Sequence, residues 1–438
     1  MKKTFLLSCL MLAAMPVMAA YTGHVYVDKN KNGVFDQSEK PLAGIKVSDG
    51  LNVVETAADG SFTLPGHERE RFIFITTPSG YKTFNRHYHK IEKKQSGYDF
   101  GLIPYSGRIR KDGSHRYIHI TDTEIFNTEN HADWVNNVHD YARNEQAAFI
   151  IHTGDICYEK GLKAHIKLMN TENMDCPVFY CIGNHDLVKG KYGEELFESI
   201  YGPVYYSFDA GNVHYVVTPM PGGDHAPGYT SDDVCRWLKN DLAHIRPGTP
   251  VVVFNHDLLT YEDTFIFKSK NAGSINLNEY NLKAWVYGHW HINYMKKQGD
   301  VYSVCTSSLD KGGIDHSTTA FRVMHVDSKG DFTSELRYTY LDKNICIASP
   351  AGVMASGVLP VAVNVYSSVS PVREVLYTCL ADGKPVLKNK RLLQSTDWSW
   401  NGELPLSHKY VGKELTLRVT ARFNNGEIAE AESHFICR

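Results

Sequence analysis

The tetrapeptide Gly183-Asn184-His185-Asp186 follows the apolar run 177–182, PVFYCI, so it is expected where a buried strand ends and a loop begins. Asn184 offers an amide oxygen to a metal ion, and His185 can deliver or share a proton. Asp186 follows that histidine and is predicted to hold its imidazole ring. The interpretation depends on whether distant parts of the chain supply matching partners.

Four other apolar runs also end in a carboxylate, an amide or an imidazole. They are 117–121 before Asp122 and Glu124, 148–151 before Asp155, 250–254 before Asn255-His256-Asp257, and 284–287 before His289 and His291. Glycines at 154, 183 and 288 allow the backbone to turn sharply at three of the five strand ends. Strands of an open α/β sheet share one crevice at their carboxyl ends, so we expect these polar groups to converge there.

Helical patterns separate the apolar runs and predict an α/β sandwich across the middle of the chain. One helix is predicted from the apolar stripe Trp134, Val138, Tyr141 and Ala142. A second helix is predicted to begin at a capping Ser231 and to stop before Pro247-Gly248. Its buried stripe is predicted to be Val234, Trp237, Leu238, Leu242 and Ile245.

The chain has 21 histidines, and a single histidine is more often a surface or hydrogen-bonded core residue than a ligand. We assign that ordinary role to His119, His139, His152 and His165. Here, however, each of five predicted strands ends in such a polar group, and this repetition favours a metal site. Carboxylates, an amide oxygen and imidazoles together suit hard and borderline divalent ions, two of which Asp155 can bridge.

The middle of the chain resembles the calcineurin-like metallophosphoesterases, whose motifs are Asp-x-His, Gly-Asp, Gly-Asn-His-Asp/Glu, a further His, and Gly-His-x-His. The match runs in order from Asp122 to His291, and its sharpest pieces are 183–186 and 288–291. The resemblance implies a multidomain α/β plus all-β protein, with a central four-layer α/β/β/α sandwich flanked by small β-sandwich domains. The whole layout is similar to an exported bacterial three-domain type.

The resemblance also implies the roles of the individual site residues. The implied ligands are Asp122, Glu124 and His291 for the first metal, Asn184, His256 and His289 for the second, and Asp155 between the two. His185 is then the catalytic residue that faces the substrate phosphate. Asp186 is its catalytic partner and fixes the tautomer of the ring.

Glu124 departs from the family pattern, because the family usually has histidine at this position. A carboxylate is a competent ligand, and its added negative charge favours a hard ion such as Mn²⁺ or Mg²⁺. The alternative is a weakened first metal site. Asp257, directly after His256, is also unusual and is interpreted as orienting that histidine.

The activity implied by the resemblance is hydrolysis of phosphate ester bonds by a secreted or periplasmic enzyme. Two divalent ions, drawn from Mn²⁺, Fe²⁺/Fe³⁺, Zn²⁺ and Mg²⁺, would share a bridging hydroxide that attacks a phosphomonoester or phosphodiester. His185 would stabilise the developing charge or the leaving oxygen. The alternative is a catalytically weakened surface or carbohydrate-binding protein built on the same fold.

The substrate stays open among a sugar phosphate, a nucleotide, a phospholipid head group and a phosphorylated glycan. The loops 187–230 and 258–280 are expected to overhang the site. Candidate substrate contacts are Tyr192, His225, Tyr229, Lys268, Lys270, Lys311 and His316. The formal net charge is -3 and the lysines and arginines are scattered, so no nucleic-acid partner is expected.

The first twenty residues have the charged, apolar and small-residue order of a signal peptide. They predict export to the periplasm, secretion or display at the cell surface of a bacterium. No other run of about 18 apolar residues occurs, so no transmembrane span is predicted. The predicted domains are a signal peptide at 1–20, an N-terminal β-sandwich at 21–106, a metallophosphoesterase domain at 107–342 and a C-terminal β-sandwich at 343–438.

The N-terminal domain has strand patterns at 23–27, 45–47 and 72–75. Between the first two, the polar residues match the spacing of a twelve-residue calcium loop, and β-repeats of bacterial surface proteins carry a similar loop. The matching residues are Asp28, Asn30, Asn32, Asp36 and Glu39. The alternatives are a bound Ca²⁺ and a polar hairpin turn that needs no ion.

In the C-terminal domain, the residue pattern of 361–366 and 415–420 alternates every second position, as in β-strands. This favours an immunoglobulin-like sandwich. Trp398 and Trp400 are either a platform for sugar rings or packing residues. The spacing of the nine cysteines forms no disulfide framework. Cys157 and Cys181 lie beside proposed ligands and are interpreted as buried thiols that fill the core.

Overall fold

The computed structural model describes residues 20–341 and 343–438. Residues 1–19 of the predicted signal peptide lie outside the described part. Two compact units divide the chain: residues 20–75 with Thr83–Ile103 form one, and Thr76–Lys82 with Pro104–Arg438 form the other. In the described residues, no helix is both long and apolar enough to cross a membrane. The domain boundaries at 106 and 342 stay predictions.

The N-terminal unit is built from short strands, as the alternating sequence predicts. The nine strands up to residue 104 are β1 (Tyr21–Val27), β2 (Lys40–Pro41), β3 (Lys46–Ser48), β4 (Val53–Glu55), β5 (Ser61–Leu64), β6 (Phe72–Ile75), β7 (Tyr81–Thr83), β8 (Tyr88–Lys90) and β9 (Phe100–Pro104). Strand β1 pairs with β2, β5 and β9, and a second sheet has the order β4-β3-β6-β8.

The central part alternates strands with helices and forms two mixed sheets. Its strands are β10 (His115–Ile120), β11 (Phe149–His152), β12 (Val178–Tyr180), β13 (Tyr206–Ala210), β14 (Val213–Val217), β15 (Val251–Phe254), β16 (Ile266–Lys268), β17 (Ser274–Asn276), β18 (Leu282–Tyr287), β19 (Tyr294–Gln298), β20 (Val301–Cys305), β21 (Ala320–Val326) and β22 (Phe332–Tyr338). Its helices are α1 (Ala132–Asn144), α2 (Tyr158–Leu168), α3 (Glu195–Tyr201) and α4 (Ser231–Ala243), with a 3₁₀ turn at Leu277–Tyr280. The sheets have the orders β12-β11-β10-β21-β22 and β13-β14-β15-β18-β20-β19, and β16 pairs with β17.

The two central sheets pack face to face through aromatic rings. Phe149 of the first sheet contacts Phe208, Tyr215 and Phe254 of the second, with ring centroids 4.9 to 6.3 Å apart. Helices α1, α2 and α3 share a buried hydrophobic cluster with the first sheet. On the other side, Asp241 of α4 accepts hydrogen bonds from Ser207 and His214 of the second sheet. The predicted four-layer α/β/β/α sandwich is therefore confirmed.

The two predicted helices are present, with one correction at a helix start. The buried face of α1 consists of Trp134, Val138, Tyr141 and Ala142, as predicted. Helix α4 is capped by Thr230 rather than Ser231, because Thr230 and Asp233 form a reciprocal capping box. It also ends at Ala243, so the predicted stripe stops before Ile245.

The C-terminal strands form a β-sandwich with a hydrophobic core of its own. They are β23 (Asn344–Ser349), β24 (Gly352–Met354), β25 (Gly357–Tyr366), β26 (Val372–Ala381), β27 (Lys384–Arg391), β28 (Leu393–Gln394), β29 (Ser399–Leu406), β30 (Glu414–Phe423) and β31 (Ile428–Cys437), with a 3₁₀ turn at His408–Tyr410. One sheet has the order β23-β25-β29-β28 and the other β24-β31-β30-β26-β27. Inward side chains of both sheets form one buried cluster.

Candidate metal centre

The carboxyl ends of parallel strands bring the predicted ligands together. Strands β10, β11 and β12 run parallel in the first central sheet, and β14, β15 and β18 run parallel in the second. His256 Nε2 lies 3.1 Å from Asp155 Oδ2 and 3.9 Å from Asp122 Oδ1. His291 Nε2 lies 3.3 Å from Asp122 Oδ1 and 3.4 Å from Glu124 Oε1.

His289 joins the same cluster, and the turn that carries Asn184 lies against it. Asp155, His256 and His289 each offer a ligand atom, and these atoms lie within 4.8 Å of one another. The residue after Asn184 donates its backbone N–H to Asp155 Oδ1 at 3.0 Å, which places the Asn184 turn against the Asp155 carboxylate. All five strand ends therefore meet at one site.

The backbone is strained where it presents these side chains. Five of the predicted ligands have a left-handed backbone, with φ of 50° at Asp122, 44° at Glu124, 54° at Asp155, 64° at His289 and 49° at His291. Each such conformation costs a non-glycine residue about 1 to 3 kcal/mol. The strain turns the side chains after β10, β11 and β18 into the crevice, which is typical of a functional site.

Two glycines are required by close approaches inside the site. A Cβ atom on Gly183 would lie 2.2 Å from Asp155 Oδ1 and 2.3 Å from the Asp155 nitrogen. A Cβ atom on Gly288 would lie 1.9 Å from Thr121 Oγ1 and 2.5 Å from Asp122 Oδ2. Any larger residue at these two positions would push strand ends apart.

The site attracts positive charge. Burial opposes the imidazolium of His256, but Asp155 and then Asp122 outweigh it and raise its pKa to about 9. Hydrogen bonds to Asp122 and Glu124 raise the pKa of His291 to about 10. Protons are thus held where the predicted cations would bind, so metal binding would have to displace them.

Two buried atoms of the candidate ligands fit a metal ion because no hydrogen bond satisfies them. Asn184 Oδ1 and His256 Nε2 are both buried, and neither has a hydrogen-bond partner among the described residues. The 3.1 Å approach of His256 Nε2 to Asp155 is an ion pair without hydrogen-bond alignment. Buried polar atoms are nearly always satisfied, so an oxygen and a nitrogen left over beside three carboxylates match a divalent ion.

His185 is held by Asp224 and not by Asp186. Its Nδ1 lies 2.9 Å from Asp224 Oδ2. Burial disfavours the imidazolium, but the contact with Asp224 and the nearby Asp155 outweigh it and raise the pKa of His185. The tautomer-fixing role predicted for Asp186 is therefore wrong. Asp186 instead accepts the backbone N–H of Cys157 at 2.8 Å and of Gly183 at 2.9 Å, because the chain turns its side chain away from the neighbouring ring.

Asp224 is the functional candidate that the sequence analysis missed. It lies on the loop between β14 and α4, where its backbone N–H donates to Asn184 O at 3.1 Å. The range 187–230, predicted as one overhanging loop, instead also contains α3, β13 and β14. Gly223 permits this contact, since a Cβ atom there would lie 2.3 Å from the same carbonyl oxygen. The sequence run Gly222-Gly223-Asp224 could have identified this residue, because an acidic residue there follows two glycines and a buried strand.

Glu124 lies at the predicted ligand position and also pairs with a lysine. Its carboxylate oxygens contact His291 Nε2 and the Lys311 ammonium. Hydrogen bonds from His291, and then from Lys311, lower the pKa of Glu124 to about 2. Lys311, one of the candidate substrate contacts, therefore lies against the predicted ligand Glu124. Ligation by Glu124 stays a prediction.

Asp257 does not orient His256. The His256 Nδ1 contacts the carbonyl oxygen of Thr153 at 2.7 Å, which directs Nε2 toward the cluster. Asp257 Oδ1 accepts the indole N–H of Trp290 at 3.0 Å instead. The proposed orientation by Asp257 is wrong because its carboxylate points toward the loop after β18.

Three of the four histidines assigned an ordinary role have hydrogen bonds. His119 bridges Thr153 and Thr306, and His152 contacts Thr123, so both are satisfied core residues. His139 pairs with acidic neighbours on the outer side of α1. His165 differs, because it is fully buried and neither ring nitrogen has a hydrogen-bond partner among the described residues.

The predicted calcium loop is closed by its own side chains. Asp28 is buried and accepts the backbone N–H groups of Asn32 at 3.1 Å and Gly33 at 2.9 Å. Asp36 Oδ2 accepts from the side chains of Asn30 at 2.7 Å and Asn32 at 3.0 Å. Glu39 accepts the backbone N–H groups of Lys29 and Asp36. Calcium binding by this loop stays a prediction.

The two C-terminal tryptophans have different environments. Trp400 is 4% exposed and belongs to the core of the sandwich, which confirms the packing interpretation for it. Trp398 is 42% exposed and lines a cavity of about 460 Å³ together with Tyr338 and Tyr366.

The cysteines of the described residues are free thiols, and all but Cys346 are buried. Burial raises the pKa of both the Cys157 thiol and the Cys181 thiol. The core-filling interpretation fits Cys181, whereas Cys157 Sγ lies within 4.8 Å of ligand atoms of Glu124 and Asp155, so its role stays a prediction.

Comparisons with known proteins agree with this architecture. A family model described as calcineurin-like phosphoesterase matches residues 115–293, and one described as the N terminal of calcineurin-like phosphoesterase matches residues 29–104. Purple acid phosphatase 13 of Arabidopsis thaliana is 26% identical over 215 residues, which are 46% of this chain and 36% of that protein. The chain therefore matches little more than a third of that relative's length.

Two solved structures are also similar. An archaeal phosphodiesterase is 12% identical with a TM-score of 0.26, covering 50% of this chain and 99% of that one. Wild-type Vps29 from Entamoeba histolytica, complexed with zinc, is 11% identical with a TM-score of 0.27, covering 50% and 97%.

The fold, the ordered motifs and the two family matches define the class of protein. The chain belongs to the calcineurin-like phosphoesterase superfamily. Members of this superfamily generally bind divalent metals and are usually hydrolases that act on phosphate esters.

Proposed function

We propose that this chain is a metal-dependent phosphoesterase that hydrolyses phosphomonoesters or phosphodiesters. The proposal rests on two buried atoms, Asn184 Oδ1 and His256 Nε2, which have no hydrogen-bond partner among the described residues and lie beside acidic residues at the strand ends. The residues that would hold two divalent ions are Asp122, Glu124, Asp155, Asn184, His256, His289 and His291. Membership of the phosphoesterase superfamily supports a phosphate ester as the substrate.

The proposed chemistry needs positive charge beside the ester. Divalent ions, when bound, would offset the negative charge of the ester oxygens and make water a better nucleophile at neutral pH. Carboxylates and imidazoles at five strand ends would hold the positively charged ions at a fixed place. The glycines at 183 and 288 let these strand ends approach each other closely.

His185 is the proposed catalytic residue. Its Nδ1 faces Asp224, which leaves Nε2 available to the phosphate, and its side chain is 34% exposed. A proton at Nε2 would stabilise the charge that develops on the phosphate, or pass to the leaving oxygen. Asp186 is a positioning residue, since it holds the backbone of the turn that carries Asn184 and His185.

Substitutions should separate these roles. His185→Ala should lower kcat for p-nitrophenyl phosphate or its bis ester by about 10² to 10⁴-fold while metal content is kept. Asn184→Ala should lower both metal content and kcat. His139→Ala, on the outer side of α1, is the matched control and should change neither.

The proposal would be overturned if metal-loaded wild-type protein hydrolysed neither ester. The ratio of the two wild-type rates would also distinguish a monoesterase from a diesterase. Metal content is measured by mass spectrometry of the dialysed protein loaded with Mn²⁺, Fe²⁺, Zn²⁺ or Mg²⁺.

A second candidate function is glycan binding without catalysis. It is favoured by the cavity at Trp398, where Tyr338 and Tyr366 supply further aromatic faces and Asn344 and Asn364 supply amides. Aromatic faces with nearby amides suit neutral sugar rings. Isothermal titration with neutral oligosaccharides tests it, and loss of binding in Trp398→Ala is the expected result.

We also propose that the protein is exported. The support is the residue order of 1–20. N-terminal sequencing of the protein isolated from its native cells should give a start near Tyr21, and a start at Met1 would contradict export by this route.

A further inference from the structure

A cavity of about 520 Å³ lies directly beside the candidate metal centre. His289, which shares the metal cluster with Asp155 and His256, forms part of its wall. Its volume falls within the range of sites that bind small organic molecules. Any ester bound at the cluster would thus have this cavity next to its phosphate.

Five of the seven residues that line the cavity are aliphatic or aromatic. The lining consists of Leu258, Tyr261, Trp290, Ile292 and Ile314, together with Asp257 and His289. Tyr261 is 74% exposed and Ile314 is 76% exposed, although both are large apolar residues. Exposed apolar groups beside a functional site mark a surface that a ligand covers.

The apolar faces are held in place by a defined set of contacts. The indole N–H of Trp290 donates to Asp257 Oδ1 at 3.0 Å, and the Tyr261 ring stacks on Trp290 with centroids 5.8 Å apart. The backbone N–H of Ile314 donates to the carbonyl of the ligand residue His291 at 2.9 Å. The cavity is therefore connected to the metal centre through the backbone, so its position relative to the cluster is fixed.

Two polar groups of the cavity, Asp257 Oδ1 and the His289 ring, already have another role. Asp257 Oδ1 accepts from Trp290 and from the backbone N–H of Leu258 at 2.7 Å. His289 belongs to the candidate metal centre. Few free groups are left to bind the hydroxyls of a sugar, and the Asp257 carboxylate opposes a second phosphate.

We propose that this cavity binds an aromatic organic group of the phosphate ester. The inference rests on the proposed phosphoesterase function, because the cluster holds the phosphate and the cavity receives the group attached to it. Stacking on Tyr261 and burial against Ile314 would supply binding energy away from the reacting bond. The cavity thereby makes the enzyme selective for the alcohol part of its substrate.

A pair of substrates tests the selectivity. Benzyl phosphate and ethyl phosphate release alcohols of similar acidity but differ in one aromatic ring. Wild-type protein should favour benzyl phosphate by about tenfold or more in kcat/KM, mainly through KM. Tyr261→Ala and Ile314→Ala should each reduce that ratio by about threefold or more. Leu393→Ala removes an equally exposed aliphatic side chain from the C-terminal sandwich and should leave the ratio unchanged.

A binding measurement keeps this inference separate from catalysis. Saturation-transfer NMR should show that wild-type protein binds 2-naphthol, and that the signal is lost in the Tyr261→Ala/Ile314→Ala double variant. Binding of 2-naphthol without hydrolysis of any ester would overturn the proposed function but support the aromatic site. Hydrolysis with equal kcat/KM for both esters would overturn the aromatic site, whether or not 2-naphthol binds.

Discussion

His165 should make this protein lose stability in mild acid, and leucine at this position should remove that loss. The ring is fully buried in α2, where it packs against Trp134, His152 and Tyr180. Neither ring nitrogen has a hydrogen-bond partner among the described residues. Burial lowers the pKa of His165 to about 3, so the folded protein keeps it neutral over a pH range in which the unfolded chain binds a proton.

The size of the effect follows from the two pKa values. Above the unfolded pKa of 6.5, the imidazole is neutral in both states and contributes no pH dependence. Below it, the unfolded state takes up the proton, and the free energy of unfolding falls by about 1.4 kcal/mol per pH unit until the folded pKa is reached. At pH 5 this one residue should therefore lower the free energy of unfolding by about 2 kcal/mol relative to pH 7.

Urea unfolding at pH 7 and pH 5 measures this quantity. The loss between the two pH values should be about 2 kcal/mol smaller in His165→Leu than in the wild type. His434→Leu replaces an exposed histidine of β31 and should show the wild-type loss. An equal loss in the wild type and in His165→Leu would refute the reasoning, since the buried ring would then not be the group that titrates.

Three substitutions test the metal centre in other ways. Lys311→Met should raise the affinity for divalent ions about twofold to fivefold in isothermal titration, because the ammonium group that pairs with Glu124 is removed; lower affinity would contradict this. Gly183→Ala should abolish metal-dependent hydrolysis, because the new Cβ would lie 2.2 Å from Asp155 Oδ1; wild-type kcat would show that the turn relaxes. Asp224→Asn should lower kcat about tenfold or more with metal content kept, because the ring of its histidine partner loses its support; an unchanged kcat would remove Asp224 from the site.

The convergence of the candidate ligands was predictable because a local feature of the sequence marks each of them. An apolar run followed by a polar residue marks a strand end, and the topology of parallel strands brings such ends together. Asp155, after β11, and His256, after β15, were found in this way although 101 positions separate them, and they lie 3.1 Å apart. The order of the motifs then gave the superfamily.

The supporting contacts were not predictable in the same way. Asp186 was assigned to His185 because the two are neighbours in sequence, but a sharp turn points adjacent side chains in different directions. The true partner, Asp224, lies on a loop, and no periodic pattern fixes the path of a loop. The predicted cap of α4 was wrong by one residue. A capping box needs an acidic or amide side chain three positions after the cap, which Thr230 has in Asp233, whereas Ser231 is followed at that distance by Val234.

In the proposed metal centre, acidic, amide and imidazole ligands at five strand ends hold two divalent ions for phosphate ester hydrolysis. Asp155 tests this proposal most directly, because this residue is proposed to lie between both ions. The measurement is the number of metal ions per chain and kcat for p-nitrophenyl phosphate, in the Mn²⁺-loaded wild type and in Asp155→Ala. We expect two ions per chain and hydrolysis in the wild type, and we expect Asp155→Ala to lose both the metal and the activity. Full activity of Asp155→Ala would contradict the proposal.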